Sequence, residues 1–354
     1  MILKMKKGIA TLLVAGMIGL TISGCGSKAP EPLTVETAAA WEAESVASWH
    51  DTNLTKADYM YFYRTNQYEM EQQLLSAGYT EENLSTYWND ETSGAAQRES
   101  LKTQSLFQAK QFMTLYEMAV AAGAVVDEAT ATENSAYIDE IVAGLDEEPA
   151  KAAQAFLDTY GVTAEQMKAL YIRMDYINAY LFDVSVNTAF TDEELKEEYD
   201  ANVDLYEQVT VRHVLVLCDD NMTEEAQKEA KEKADDILAR IEAGEPIGDL
   251  AKELSEDGGS VDNNGEYTFG RGRMVKEFED WSFSAQPGDR GIVKTSYGYH
   301  VMEMMARLGF EDAKDTLTYQ LGNVKAEELI NEATAIAENG WADNNEAIDA
   351  IVPA

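Results

Sequence analysis

The side chains most able to do acid–base, nucleophilic or soft-metal chemistry are scarce in this chain. Its 354 residues include three histidines and two cysteines. His213 interrupts an apolar, β-branched run, His300 lies in a second alternating run, and His50 has no motif around it. Taken with Asp257, His213 and His300 make a conceivable set of three metal ligands, but their spacing matches no short metal signature. Gly258-Gly259 is not followed by Lys-Ser or Lys-Thr, which rejects a phosphate-cradling loop. The aspartates and asparagines of the surrounding loop, 256–265, admit calcium ligation, although solvated turn chemistry accounts for them without an ion. Cys25 and Cys218 can build neither a disulfide framework nor a Cys-rich zinc site. No metal or cofactor is expected.

The elements that position these residues follow from the rest of the chain. Its length suits two domains, or one domain inserted into another, each with an apolar core. A composition of 45% hydrophobic and 26% charged residues fits a soluble globular protein. The net charge of -38, from 65 acidic and 27 basic groups, repels phosphate backbones and excludes nucleic acid as a natural partner.

The amino terminus reads as an address. Lys4, Lys6 and Lys7 precede an apolar run, 8–21, that is short for a membrane span. It ends in Ile22-Ser23-Gly24-Cys25, which resembles the bacterial lipobox. That resemblance implies cleavage before Cys25 and acylation of its thiol and amine, and two or more acyl chains anchor a protein stably where one does not. Residues 26–36, with Pro30 and Pro32, then form a tether.

From about Leu54 to Asn202 the patterning is helical. Thr163-Ala-Glu-Gln is a capping box, followed at helical spacing by Met167, Leu170, Tyr171, Met174, Ile177 and Leu181. Leu106, Phe112, Met113, Tyr116 and Val120 repeat the theme up to a stop at Gly123, and Thr191-Asp-Glu-Glu opens a connecting helix. After Arg307 the sequence returns to acidic helix, with Leu317, Leu321, Val324, Leu329 and Ile330 as expected buried positions.

Between these regions the pattern changes. Val209 to Leu217 is apolar on both alternating faces and reads as a central strand. A helix over 223–243 stops at Gly244, a short second helix covers 247–254, and the Gly- and Asn-rich loop follows. A strand near 266–269, a helical turn over 275–283 and an alternating strand over 299–304 complete the order β, α, α, β, α, β.

Four stretches in that order carry a family resemblance: Val211-Arg-His-Val-Leu-Val216, Leu254-Ser-Glu-Asp257, Phe269-Gly-Arg-Gly-Arg-Met-Val-Lys-Glu-Phe-Glu279 and Val293-Lys-Thr-Ser-Tyr-Gly-Tyr-His-Val301. Together they resemble a parvulin-type peptidyl-prolyl cis/trans isomerase domain. With the lipobox and the flanking helices, the whole layout resembles the PrsA-like foldase lipoproteins of Gram-positive bacteria. The resemblance implies catalytic positions at His213, Asp257, Thr295 and His300, and a proline pocket at Phe269, Met274 and Phe278. It departs at Asn264-Gly265-Glu266-Tyr267, where many relatives carry Gly-Asp-Leu-Gly, and at the acidic Cys218-Asp219-Asp220-Asn221 loop, which disfavours a phosphorylated substrate.

The expected architecture is therefore α+β, a parvulin-type mixed βααβαβ domain inserted between the N- and C-terminal segments of an α-helical chaperone-like domain. Its expected parts are a lipoprotein signal peptide (1–24), lipidated Cys25 with its tether (25–50), a helical chaperone-like region (51–207), the parvulin domain (208–308) and a C-terminal helical segment (309–354) that packs on the N-terminal region. The expected function is membrane-anchored, extracytoplasmic prolyl isomerisation that assists the folding of exported proteins. The alternative is a holdase whose parvulin domain binds but barely isomerises. Expected partners are unfolded or partly folded exported proteins with X-Pro bonds and the cell membrane, through Cys25, with a second copy of the chain as a further candidate. Rotation about an amide exchanges no group, so no nucleophile, metal or redox centre is required.

Overall fold

The computed structural model describes residues 33–90 and 93–351, so the signal segment and Cys25 lie outside the described residues. The chain divides into two compact units, one running to Thr188 and resuming at Gly322, the other spanning Ala189–Leu321.

The first unit opens with helix α1 (Val35–Ala39) and a hairpin of β1 (Ser45–Trp49) and β2 (Thr52–Thr55), turned at His50, whose φ is +50°. Six helices follow: α2 (Lys56–Ser76), α3 (Glu81–Asn89), α4 (Ser93–Ala121), α5 (Glu128–Leu145), α6 (Pro149–Tyr160) and α7 (Ala164–Asn187). The expected capping box is present: Thr163 accepts from the Gln166 N–H and the Gln166 side chain accepts from the Thr163 N–H. Tyr59, Leu101, Phe112, Phe156, Leu170 and Ile177 are in one core.

Unit two carries the inserted fold. Helices α8 (Asp192–Ala201) and α9 (Val203–Tyr206) lead into β3 (Gln208–Leu217), followed by α10 (Glu224–Glu242), α11 (Ile247–Leu254), β4 (Glu266–Gly270) and α12 (Lys276–Ser284). Then come β5 (Arg290–Lys294) and β6 (Gly298–Leu308), and helix α13 (Phe310–Asn339) supplies residues to both units. The antiparallel sheet has the order β4-β3-β6-β5, so β3 is an interior strand, as its two-sided apolar pattern requires. One sheet face packs Val214, Val216 and Val301 against Ala234, Ile237 and Leu250 of α10 and α11. The other packs Val209, Val211, Met302 and Met304 against Phe278 and Phe283 of α12.

The expected α+β insertion is borne out, and the structure adds elements to it. Five residues rich in turn neighbours, Pro287-Gly288-Asp289 just before them, form β5. In the first unit β7 (Ala342–Asp343) pairs with β1, giving a small sheet ordered β2-β1-β7 where helices and, for β1, the 25–50 tether were expected; that expectation is corrected, since Val46 and Ala47 are buried in the core, and α14 (Asn345–Asp349) is the last helix among the described residues. Leu317 is fully buried beside Leu195 and Tyr199 of α8, within the second unit. Two expected core positions are corrected: Val120 and Val324 are 45% and 47% exposed. Helical spacing fixes which face a residue occupies, but only a neighbouring element buries it.

Candidate active site

Strand parity brings the histidines together. Residues two apart on a strand share a face, and directly opposed residues of an antiparallel pair share one too. His300 of β6 is opposite Leu215 of β3, and His213 is two residues before Leu215, so the imidazoles are diagonal neighbours on the α12 side of the sheet. Their Nδ1 atoms are 3.1 Å apart and the rings stack at 5.2 Å and 21°. Both are buried.

Asp257 arrives from the loop between α11 and β4. Pairing of β3 with β4 ends at Arg212–Glu266, and beyond it the loop takes over the strand edge. The Leu215 N–H donates to the Ser255 hydroxyl (3.1 Å), the Glu256 N–H to the Leu215 carbonyl (2.9 Å), and the Leu217 N–H to the Glu256 carboxylate (2.7 Å). Thr295 is in the turn between β5 and β6, where its N–H donates to the Gly298 carbonyl at 2.9 Å. Gly298, at φ +150°, is required there, because a Cβ would come within 2.1 Å of the Val216 carbonyl oxygen.

Four residues thus form one hydrogen-bonded line. His213 Nε2 is 3.0 Å from Asp257 Oδ2, and His300 Nε2 is 2.9 Å from the Thr295 hydroxyl. Two further donors reach the same Asp257 oxygen, the Ser260 hydroxyl at 2.5 Å and the Tyr267 hydroxyl at 3.0 Å, and the Gly259 N–H donates to Oδ1 at 3.1 Å. Burial works against ionisation of Asp257, but the bonds from Ser260, Gly259 and Tyr267 and the pull of His213 outweigh it, holding the carboxyl below its ordinary range.

The ionised carboxylate orders the protons of the whole line. It only accepts, so His213 carries its proton on Nε2 and donates it to Asp257. Nδ1 of His213 is then a lone pair and accepts from the Nδ1–H of His300. Nε2 of His300 must accept, and the Thr295 hydroxyl donates to it while accepting from the Tyr297 N–H at 3.1 Å. Both imidazoles are neutral in this arrangement. Burial lowers His213 against the opposite pull of Asp257, so the short contact between them is a carboxylate bonded to a neutral ring and not an ion pair. Burial and then His213 push His300 down to about 4.

Phe278 closes the line from α12, edge-on to His213 at 5.4 Å and to His300 at 5.2 Å. Phe269 packs 5.8 Å from Phe278, and both are buried, whereas Met274 at the edge of the same apolar cluster is half-buried. The structure therefore brings His213, Asp257, Thr295 and His300 into one network, and Phe269, Met274 and Phe278 into one adjoining cluster. Sequence reasoning missed Ser260 and Tyr267. Tyr267 was findable from parity, since it alternates with Phe269 along β4 and is opposite Val211, two residues before His213.

A family model described as the PPIC-type PPIase domain matches residues 198–307. The chain is 31% identical over 335 residues to the foldase protein PrsA of Caldanaerobacter subterraneus subsp. tengcongensis, covering 93% of this chain and 92% of that protein. It is 30% identical over 208 residues to the foldase protein PrsA of Geobacillus kaustophilus, covering 56% of this chain and 66% of the relative. Among solved structures, the peptidylprolyl isomerase PrsA of Bacillus cereus is 22% identical with a TM-score of 0.31, covering 72% of this chain and 91% of that one.

Proposed function

We propose, from the premise that this chain belongs to the PrsA foldase family and is a folding-assisting, parvulin-type peptidyl-prolyl cis/trans isomerase, that its work is done on exported proteins at the outer face of a membrane, with His213, Asp257, Thr295 and His300 as its catalytic network. The carrying observation is the continuous line of close polar contacts from Thr295 through His300 and His213 to Asp257, lying against Phe278. Unassisted prolyl isomerisation takes tens to hundreds of seconds, so a millisecond step needs roughly 5.5 to 7 kcal/mol of barrier reduction. Met274 and Phe278 hold the proline ring while the preceding carbonyl turns. A twisted amide loses its resonance and changes polarity, and a rigid, oriented set of dipoles favours it over the planar forms. The Asp257 carboxylate is occupied by its own donors, so in this reading it acts through His213 by holding tautomer and ring orientation.

Anchoring falls to Cys25, outside the described residues, on the strength of the Ile22-Ser23-Gly24-Cys25 motif. Cys25→Ser should move the protein from the membrane to the soluble fraction, and continued membrane retention would remove the anchor from the account. The division into a helical chaperone-like region and an inserted isomerase has a specific support in the first unit. There α7 leaves Ile172, Phe182 and Val186 exposed, and Phe182 and Val186, four residues apart on one helix face, offer an apolar surface to an unfolded chain.

That surface also supports a second reading, the holdase. Turnover of a prolyl peptide by the full chain and by Asp257→Ala, run beside an aggregation assay on an unfolded client, separates the two. The isomerase reading expects turnover that falls about 10- to 100-fold in the variant, the range for losing a bond to a charged partner, with aggregation suppression retained. No turnover from the folded wild type, with suppression intact, leaves the holdase.

A further inference from the structure

We propose that Tyr267 is a positioning residue of the isomerase site, tying the Asp257 loop to the sheet and thereby fixing which nitrogen of each imidazole carries its proton. The inference rests on the reading of the site given above, and it concerns a residue that the family resemblance did not supply.

The placement comes from the sheet. Tyr267 is opposite Val211 in the β3–β4 pairing, which puts it on the face that carries His213. Its ring is 5.5 Å from the His213 ring at 35°, and its hydroxyl donates to Asp257 Oδ2 at 3.0 Å. The loop is shaped around that hydroxyl: a Cβ on Gly259 would come within 2.7 Å of it. Glycine at 259 leaves the space the phenol uses.

The groups facing the Asp257 carboxylate are His213 from β3, the Ser260 hydroxyl and Gly259 N–H from its own loop, and Tyr267 from β4. No Lys or Arg is paired with it among the described residues, so hydrogen-bond donors alone hold its charge. Gly259 and Ser260 are two and three residues away in the same loop, and the Ser260 hydroxyl also lies 3.1 Å from His213 Nε2. Tyr267 is ten residues away on a strand, and with His213 it is a side chain of the sheet that bonds the carboxylate directly. Burial and the Asp257 contact raise the Tyr267 phenol, which keeps its proton on and its role that of a donor.

The test uses the full chain with 13C-labelled aspartate, comparing wild type with Tyr267→Phe and Tyr267→Leu, the Asp257 carboxyl signal being assigned with Asp257→Asn. Both variants should titrate Asp257 at higher pH than wild type. The kcat/KM for a prolyl peptide should fall about 2- to 10-fold, the range for one hydrogen bond, mainly through kcat, with its acid limb displaced upward. Asp257 titration curves that superimpose in wild type and both variants overturn the proposal. A wild type without turnover sinks the isomerase reading instead, and the carboxyl titration reports on the Tyr267 clamp in either case.

Discussion

The Nδ1 atoms of His213 and His300 face each other at 3.1 Å, so one of them must donate and the other accept, and the Asp257 carboxylate on the far side of His213 decides which. The order of protons runs from Thr295 through His300 and His213 to Asp257, without a charged imidazole. A site of this kind depends on geometry and on neutrality. Each can be perturbed separately.

The grip on proline is the first test. Met274 is half-buried at the edge of its cluster, so Met274→Ala should leave the urea midpoint almost unchanged and lower kcat/KM for a prolyl peptide roughly tenfold, mostly as a higher KM, the loss of one apolar contact of about 1.5 kcal/mol. Phe278→Ala should behave differently. Phe278 is 3% exposed and braces both imidazoles, so it should cost about 3–5 kcal/mol of stability as well as activity.

Neutrality of the histidines gives stability a pH dependence of definite sign. His300 titrates at about 4 in the folded chain and near 6.5 when unfolded, so between these values the unfolded state binds a proton that the folded state does not. Stability is therefore full above pH 6.5 and falls as the pH drops toward 4, with His213 and the depressed Asp257 carboxyl pulling in the same direction. Urea midpoints measured from pH 7 to 4 should decline, and the decline should be shallower in His300→Gln. Parallel slopes would mean that His300 is already accessible to protons.

Gly265 holds the backbone beneath His213. Its carbonyl accepts from the His213 N–H at 2.9 Å, its φ is +72°, and a Cβ would come within 2.3 Å of the His213 carbonyl oxygen and 2.8 Å of the Ala251 Cβ. Gly265→Ala should cost at least about 2 kcal/mol in thermal unfolding and should also lower turnover. Gly244→Ala is the comparison. Gly244 also has a positive φ, +103°, but a Cβ there meets nothing within 4 Å, so only the strain of about 1 kcal/mol applies and turnover should stay near wild type.

Much of the inserted fold was legible because its signals are local and strong: the two-sided apolar run of β3, the alanine stripe of α10 ended by Gly244, and the threonine capping boxes at Thr163 and Thr191. The small sheet was not. β1 pairs with β7 almost 300 residues away, and two residues such as Ala342–Asp343 have no periodicity to read. In the site, residue types at motif positions pointed to His213, Asp257, Thr295 and His300. Ser260 and Tyr267 act only through a loop closure and a cross-strand register, which the sequence does not display until β3 and β4 are aligned. Val120 and Val324 show the opposite limit, since correct helical spacing on a face that no neighbour covers leaves an apolar residue exposed.

With three histidines in the chain, the imidazole 15N spectrum at pH 7 reads the central claim with little ambiguity. The account predicts two neutral rings of opposite tautomer, His213 protonated on Nε2 and His300 on Nδ1, and Asp257→Asn should disturb both together. An imidazolium at either position, or the same tautomer at both, would contradict the directed line of hydrogen bonds on which the catalytic assignment stands.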